Sequence, residues 1–166
     1  MRVYIPASSS LVRALRDNGV LGPPITAFAV TPALREYYVD DDIEELEYSA
    51  ALDAARASLR LLSGDPDASR RRMVIAADIA DDAVEIRDDL DRGVVRVHAA
   101  VPMAVCAAVH TDSADAESAV ETAVSVIDAA DLGEPSAEDA VDDVGGFELA
   151  WYATQEIDVL LAEIGR

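Results

Sequence analysis

Lysine is absent from this chain of 166 residues, and its 13 basic side chains are all arginine. Against them stand 33 acids, for a formal net charge of -20. A field of that sign repels nucleic-acid phosphates and anionic membrane surfaces, so neither is an expected partner. The one basic run, Arg70-Arg71-Arg72, is too small to reverse it and reads as the charged approach to a strand. A single cysteine, Cys106, leaves no internal disulfide to form. No apolar signal run follows Arg2, so the cytoplasm is the expected compartment. The longest uncharged stretches, 18–34 and 97–111, fall short of a membrane span and are broken by Pro, Gly or His.

Chemical signatures are equally scarce. Gly145-Gly146 has neither the preceding strand nor the lysine of a phosphate-binding loop, and Ser8-Ser9-Ser10 lacks the flanking glycines of a hydrolase elbow. A calcium loop starting at Asp89 fails at its fifth position, Gly93, where an oxygen ligand is needed. His98, Cys106 and His110 lie close in sequence but without the close-paired spacing of a zinc site. No metal and no cofactor is expected.

What is present is a regular grammar of strands and capped helices. The organising stretch is 40–64, a long helix with Asp42 as N-cap and Glu45 three residues on. Asp40, Asp41, Asp42, Glu44, Glu45 and Glu47 crowd its positive end, and Arg56 and Arg60 lie toward its negative end. Gly64 suits a left-handed cap and Pro66 forbids continuation. Ile43, Leu46, Ala50, Ala54, Ala57 and Leu61 make an apolar stripe, widened by Leu52, Ala55, Leu59 and Leu62, which calls for a sheet beneath it.

Around that helix the spacing predicts strands at 2–6, 25–30, 73–79 and 105–111, with a hairpin from the alternating fragments 84–87 and 94–99. Ser8 to Ser10 cap a short helix over 11–17 that ends at Asn18-Gly19, and Thr31-Pro32 start another. A second amphipathic helix begins at Asp112 or Ser113, and Thr154 caps a final one. Between them, 128–146 reads as a mobile acidic loop holding at most one short helix. The whole, 1–166, is expected to be a single α+β domain, a mixed β-sheet with helices packed mainly on one face; a three-layer α/β domain is the alternative.

Two polar and aromatic groupings stand out. Thr31, Arg35, Glu45 and Tyr48 gather near a strand end, where open sheets bind ligands, with Arg35 as an anion anchor. Trp151, Tyr152 and Glu156 hold the only tryptophan beside a helix start. No catalytic residue is assigned, and the leading expectation is a non-enzymatic interaction or regulatory domain. Its partner is itself, as a homodimer, or another protein with basic or apolar surface. A small-molecule-binding or enzymatic domain using the first grouping is the alternative.

The stretches RVYIP, VTPALREYY, EELEY, AARASLRLL, RRMVIAAD, AAVHTD and WYATQEI together resemble a family of small proteins of high-GC actinobacteria. That resemblance covers nearly the whole chain and brings no activity, cofactor or partner with it, so no residue role is transferred. It implies GC-rich codon usage, rather than adaptation to salt, as the reason for the missing lysines, and a free-standing cytoplasmic domain.

Overall fold

The computed structural model describes residues 1–39 and 42–165. Asp40 and Asp41, which the sequence places at the acidic helix start, lie outside the described residues, as does Arg166. Nine strands and six α-helices are formed by the described residues. The central sheet contains β1 (Arg2–Ala7), β3 (Ile25–Phe28), β4 (Met73–Asp78), β5 (Val84–Ile86), β6 (Val94–Val97), β8 (Cys106–Thr111) and β9 (Ala150–Ala153). Their order is β5-β6-β3-β1-β4-β8-β9, and β2 (Val20–Leu21) pairs separately with β7 (Val101–Pro102).

The chain is α+β, as its pattern of elements predicts. All neighbouring strands run antiparallel, so the sheet is not mixed. The chain returns antiparallel beside its preceding sheet strand from β1 to β3, from β5 to β6 and from β8 to β9, while β4 is laid beside β1 and β8 beside β4, each again antiparallel to its neighbour. The predicted hairpin is β5–β6, with Glu85 opposite Arg96.

Period-two alternation sorts the two faces of β1 and β4. Val3, Ile5, Ala7, Met73, Ile75 and Ala77 face α1 (Ser9–Asn18) and α6 (Ile157–Ile164), which contribute Val12, Leu15, Ile157, Leu160 and Leu161. Tyr4, Val74 and Ala76 face the 21-residue helix α3 (Ile43–Ser63) and Leu34 of α2 (Pro32–Tyr37). A third apolar cluster joins Leu59 and Leu62 of α3 to α4 (Glu117–Asp131) and α5 (Pro135–Val144). Most helical residues therefore lie on the α3 side of the sheet.

The caps follow local chemistry. Ser8 Oγ accepts from Leu11 N at 3.2 Å, and Gly19 closes α1 at φ 75°. Thr31 caps α2 with Pro32 at its first position, and Asp42 caps α3 by accepting from Glu44 N at 3.0 Å. Gly64 departs from expectation: its φ of -89° is right-handed, and its N–H reaches Leu61 and Leu62 carbonyls without a left-handed turn. The buried face of α3 is also rotated from the predicted stripe. Leu46, Ala50, Ala54, Ala55, Ser58, Leu59 and Leu62 are buried, whereas Ile43, Leu52 and Leu61 face outward. Within 128–146, α5 buries Ala137, Val141 and Val144 against α4.

Candidate functional site

Alanine makes the space for the site. Ala50, Ala54 and Ala55 let α3 settle closely on β1 and β4, and farther out β8 lines the groove with Ala107, Ala108 and His110. The β4–β8 register slips at this point: Ala76 pairs with Ala108 but Ala77 pairs with Cys106, leaving Ala107 as a bulge. A bulge turns its strand locally, so two consecutive alanines both floor the same groove.

One wall of the groove is α3, whose Glu44, Glu47, Tyr48, Ala51 and Leu52 follow one another at helical spacing. The other wall is Phe147, Glu148, Leu149 and Trp151, and Arg2, Tyr4 and His110 complete the lining from the sheet. The volume is about 670 Å³, within the span of ordinary ligand pockets. Four aromatic rings border it, from Tyr4, Tyr48, Phe147 and Trp151. Tyr48 and Trp151 are left 58% and 61% exposed.

Charge in the groove is one-sided. Arg2 is the one arginine of the lining, and Asp78 holds it with two contacts, Nε to Oδ1 at 2.7 Å and Nη2 to Oδ2 at 3.1 Å. No ion pair joins Glu44, Glu47 or Glu148 to an arginine among the described residues. Burial, with Arg2 nearby, holds His110 below the ordinary imidazole range, so it is neutral at pH 7. Burial first, and Glu47 second, push the Tyr4 phenol up, so it remains a neutral donor.

Beside the groove lies a smaller hollow of about 330 Å³ lined by Tyr38, Glu45, Leu46, Tyr48, Ser49 and Leu52. Tyr48 and Leu52 line both and form the ridge between them. The two groupings expected from sequence are thereby divided. Glu45 and Tyr48 come together at the hollow, but Thr31 and Arg35 line neither cavity. Thr31 is buried as the α2 cap, accepting from Leu34 N and donating to the Arg92 carbonyl. Arg35 is exposed in the last turn of α2.

Trp151 stands in the groove wall, opposite His110 in the β8–β9 register. Tyr152 alternates to the other face, where its hydroxyl donates to Glu163 Oε2 at 2.9 Å. Glu156 accepts from Ala153 N at 3.2 Å and serves the start of the last helix. Thr154, expected as its cap, instead donates to the Cys106 carbonyl at 2.7 Å.

The described residues contain no group of three His, Cys, Asp or Glu side chains arranged to hold a metal ion. Burial pushes the Cys106 thiol up to about 11, so it is not a nucleophile at neutral pH. No helix among the described residues is long and apolar enough to cross a membrane. A family model matches residues 1–161. The chain belongs to DUF6912, a family of unknown function. Every residue lining the groove lies inside the span matched to DUF6912. No curated protein and no solved structure matches the chain.

Proposed function

We propose that this chain is a non-enzymatic interaction domain that docks a positively charged segment of another protein in the groove between α3 and β8–β9. The observation that carries the reading is the meeting of three glutamates, none of them held in an ion pair among the described residues, with two largely exposed aromatic rings in one concave surface whose single arginine, Arg2, is taken by Asp78. Carboxylates attract a cation and aromatic faces hold it, at about 0.5–2 kcal/mol per ring depending on desolvation. A second copy of the chain would bring another net charge of -20 to this surface, so a different, basic partner is favoured over a homodimer. We place the protein in the cytoplasm of a GC-rich actinobacterium, whose codon usage accounts for the absence of lysine.

Trp151 is the only tryptophan, so its emission reports on the groove directly. Titration with a short arginine-rich peptide is expected to shift that emission and to saturate. Replacing Glu44, Glu47 and Glu148 together by Gln should weaken binding at least about ten-fold, whereas Asp128, Asp139 and Asp143 changed to Asn should hardly matter. Equal losses from both triple variants would mean diffuse attraction to an acidic surface, and the reading would be wrong.

A further inference from the structure

The sheet ends on the groove side at β9, and no strand among the described residues pairs with its outer edge. Exposed edges are ordinarily blunted by charge, proline or bulges. At the opposite end, β5 carries Glu85 in its centre, with Arg87 within 3.9 Å of it. In contrast, β9 reads Ala-Trp-Tyr-Ala, a charge-free edge in a chain with 33 acids. Its first two residues, Ala150 and Trp151, are exposed.

Backbone direction along β9 can be worked out from one bond. In an antiparallel pair, alternate residues turn both N–H and C=O toward the neighbour and the others turn them away. Ala153 N–H is taken by the Glu156 carboxylate rather than by its β8 partner Ala108, so it turns away from β8. By the period of two, Trp151 also presents its N–H and C=O to the open edge. The same residue carries its indole into the groove wall, so main-chain pairing and side-chain recognition meet at one position.

Resting on the groove reading above, we infer that the partner segment binds as an added β-strand along β9, with an arginine of that strand seated over Trp151. Adjacent strands are about 4.8 Å apart, so a residue opposite Trp151 on the same face has its side chain over the indole. The chain itself shows the preferred geometry: the Arg92 guanidinium lies 3.7 Å from the centroid of the Tyr37 ring. Tryptophan is the stronger platform for such a cation, and a guanidinium lying flat on the ring keeps its donors in plane for a carboxylate such as Glu148. The added strand's alternate residues face the α6 side, beside Tyr152, where apolar side chains fit. The occupant is therefore an extended segment in which arginine alternates with apolar residues.

The test uses an end-blocked peptide of alternating arginine and valine, two versions N-methylated on one or the other alternate set of amides, and a lysine-for-arginine version. Binding is read from Trp151 emission and from hydrogen exchange of the Trp151 amide. Strand addition predicts that methylation in one frame weakens binding at least ten-fold while the other frame is nearly silent, that the Trp151 amide is protected in the complex, and that lysine binds several-fold more weakly. Two methylated frames binding equally well, or a Trp151 amide that exchanges as fast as before, would overturn the added strand. Lysine binding as tightly as arginine would overturn the guanidinium seat. If binding in those cases still depended on Glu44, Glu47 and Glu148, the groove reading would stand alone. Binding indifferent to those three glutamates would remove the groove reading and the inference together.

Discussion

Arg72 and Asp112 form a buried ion pair in which one carboxylate receives three bonds. Arg72 N and Nε both donate to Oδ2 at 2.8 Å, and Nη2 donates to Oδ1 at 2.8 Å. The side chains are 5% and 0% exposed. Nη2 also donates to the Phe147 carbonyl at 3.0 Å, which ties the groove wall to the entrance of β4. Asp112→Asn leaves a buried guanidinium without its counter-charge, and a loss of about 3–5 kcal/mol is expected by chemical denaturation. Arg72→Met, which removes the cation and leaves Asp112 stranded, should cost a similar amount.

Ser58 sits where α3 crosses the ends of β1 and β4. Its hydroxyl donates to the Ala7 carbonyl at 2.7 Å and accepts from Met73 N at 3.1 Å, bridging two residues that face each other in the sheet register. Ser58→Ala strips a partner from both buried backbone groups. A destabilisation of about 1–3 kcal/mol is expected in denaturant melts, with Ser58→Thr tested beside it as the version that keeps the hydroxyl.

Two glycines that end helices should behave differently. Gly19 adopts φ 75°, and Gly19→Ala is expected to cost about 1–2 kcal/mol although open space surrounds the new methyl group. Gly64 has an ordinary φ of -89° and meets only the Leu61 carbonyl at 3.8 Å. Gly64→Ala should be neutral or stabilising by up to about 1 kcal/mol, through the reduced freedom of the unfolded chain. Paired thermal melts would expose a reversal.

The pH dependence carries a sign that can be checked. Burial, with Asp91 adding to it, raises the Asp53 carboxyl, so the folded state binds its proton more readily than the unfolded state. The stability it contributes is full below the unfolded carboxylate range and is lost as pH rises through the raised folded value. Asp53→Asn is therefore expected to stabilise the protein at pH 7 and to have little effect near pH 3, read from denaturant melts at the two pH values. His110 runs the other way in pH: its lowered folded value means stability is full above about pH 6.5 and falls as the imidazole is forced to charge. NMR titration of the His110 ring gives that value directly. A cation seated in the groove should push it lower still.

Which parts of this molecule could be read from sequence follows from how far the determining interactions reach. Ser8, Thr31-Pro32 and Asp42 announced their helices because a cap is settled within three residues. The β5–β6 hairpin was legible for the same reason. Gly64 misled because glycine permits a left-handed turn without requiring one. The buried face of α3 was only partly legible, since Ser58 is polar by type yet buried by its bonds to two strand ends.

The groove was least legible. Arg2, Tyr4, His110 and Trp151 come from three strands spread across the chain, and the floor depends on a bulge at Ala107 that no local pattern marks. Tyr48 and Trp151 were singled out separately, and only the sheet order brings them to one surface. Glu44 and Glu47 were visible as helix-dipole partners, a role they can fill while also facing the groove.

Thr111 and Ala150 face each other across β8 and β9, so the two strands form a hairpin whose connection is the whole of 112–149. Where a tight turn would close the strands, the chain inserts a helical pair that ends in the groove wall at Phe147, Glu148 and Leu149. Arg72 clasps that insertion near both of its ends, through Asp112 and the Phe147 carbonyl, so the wall is anchored to the entrance of β4. A change in the length or charge of the insertion would therefore be felt at the first residue pair of β4 and β8 as well as in the groove wall.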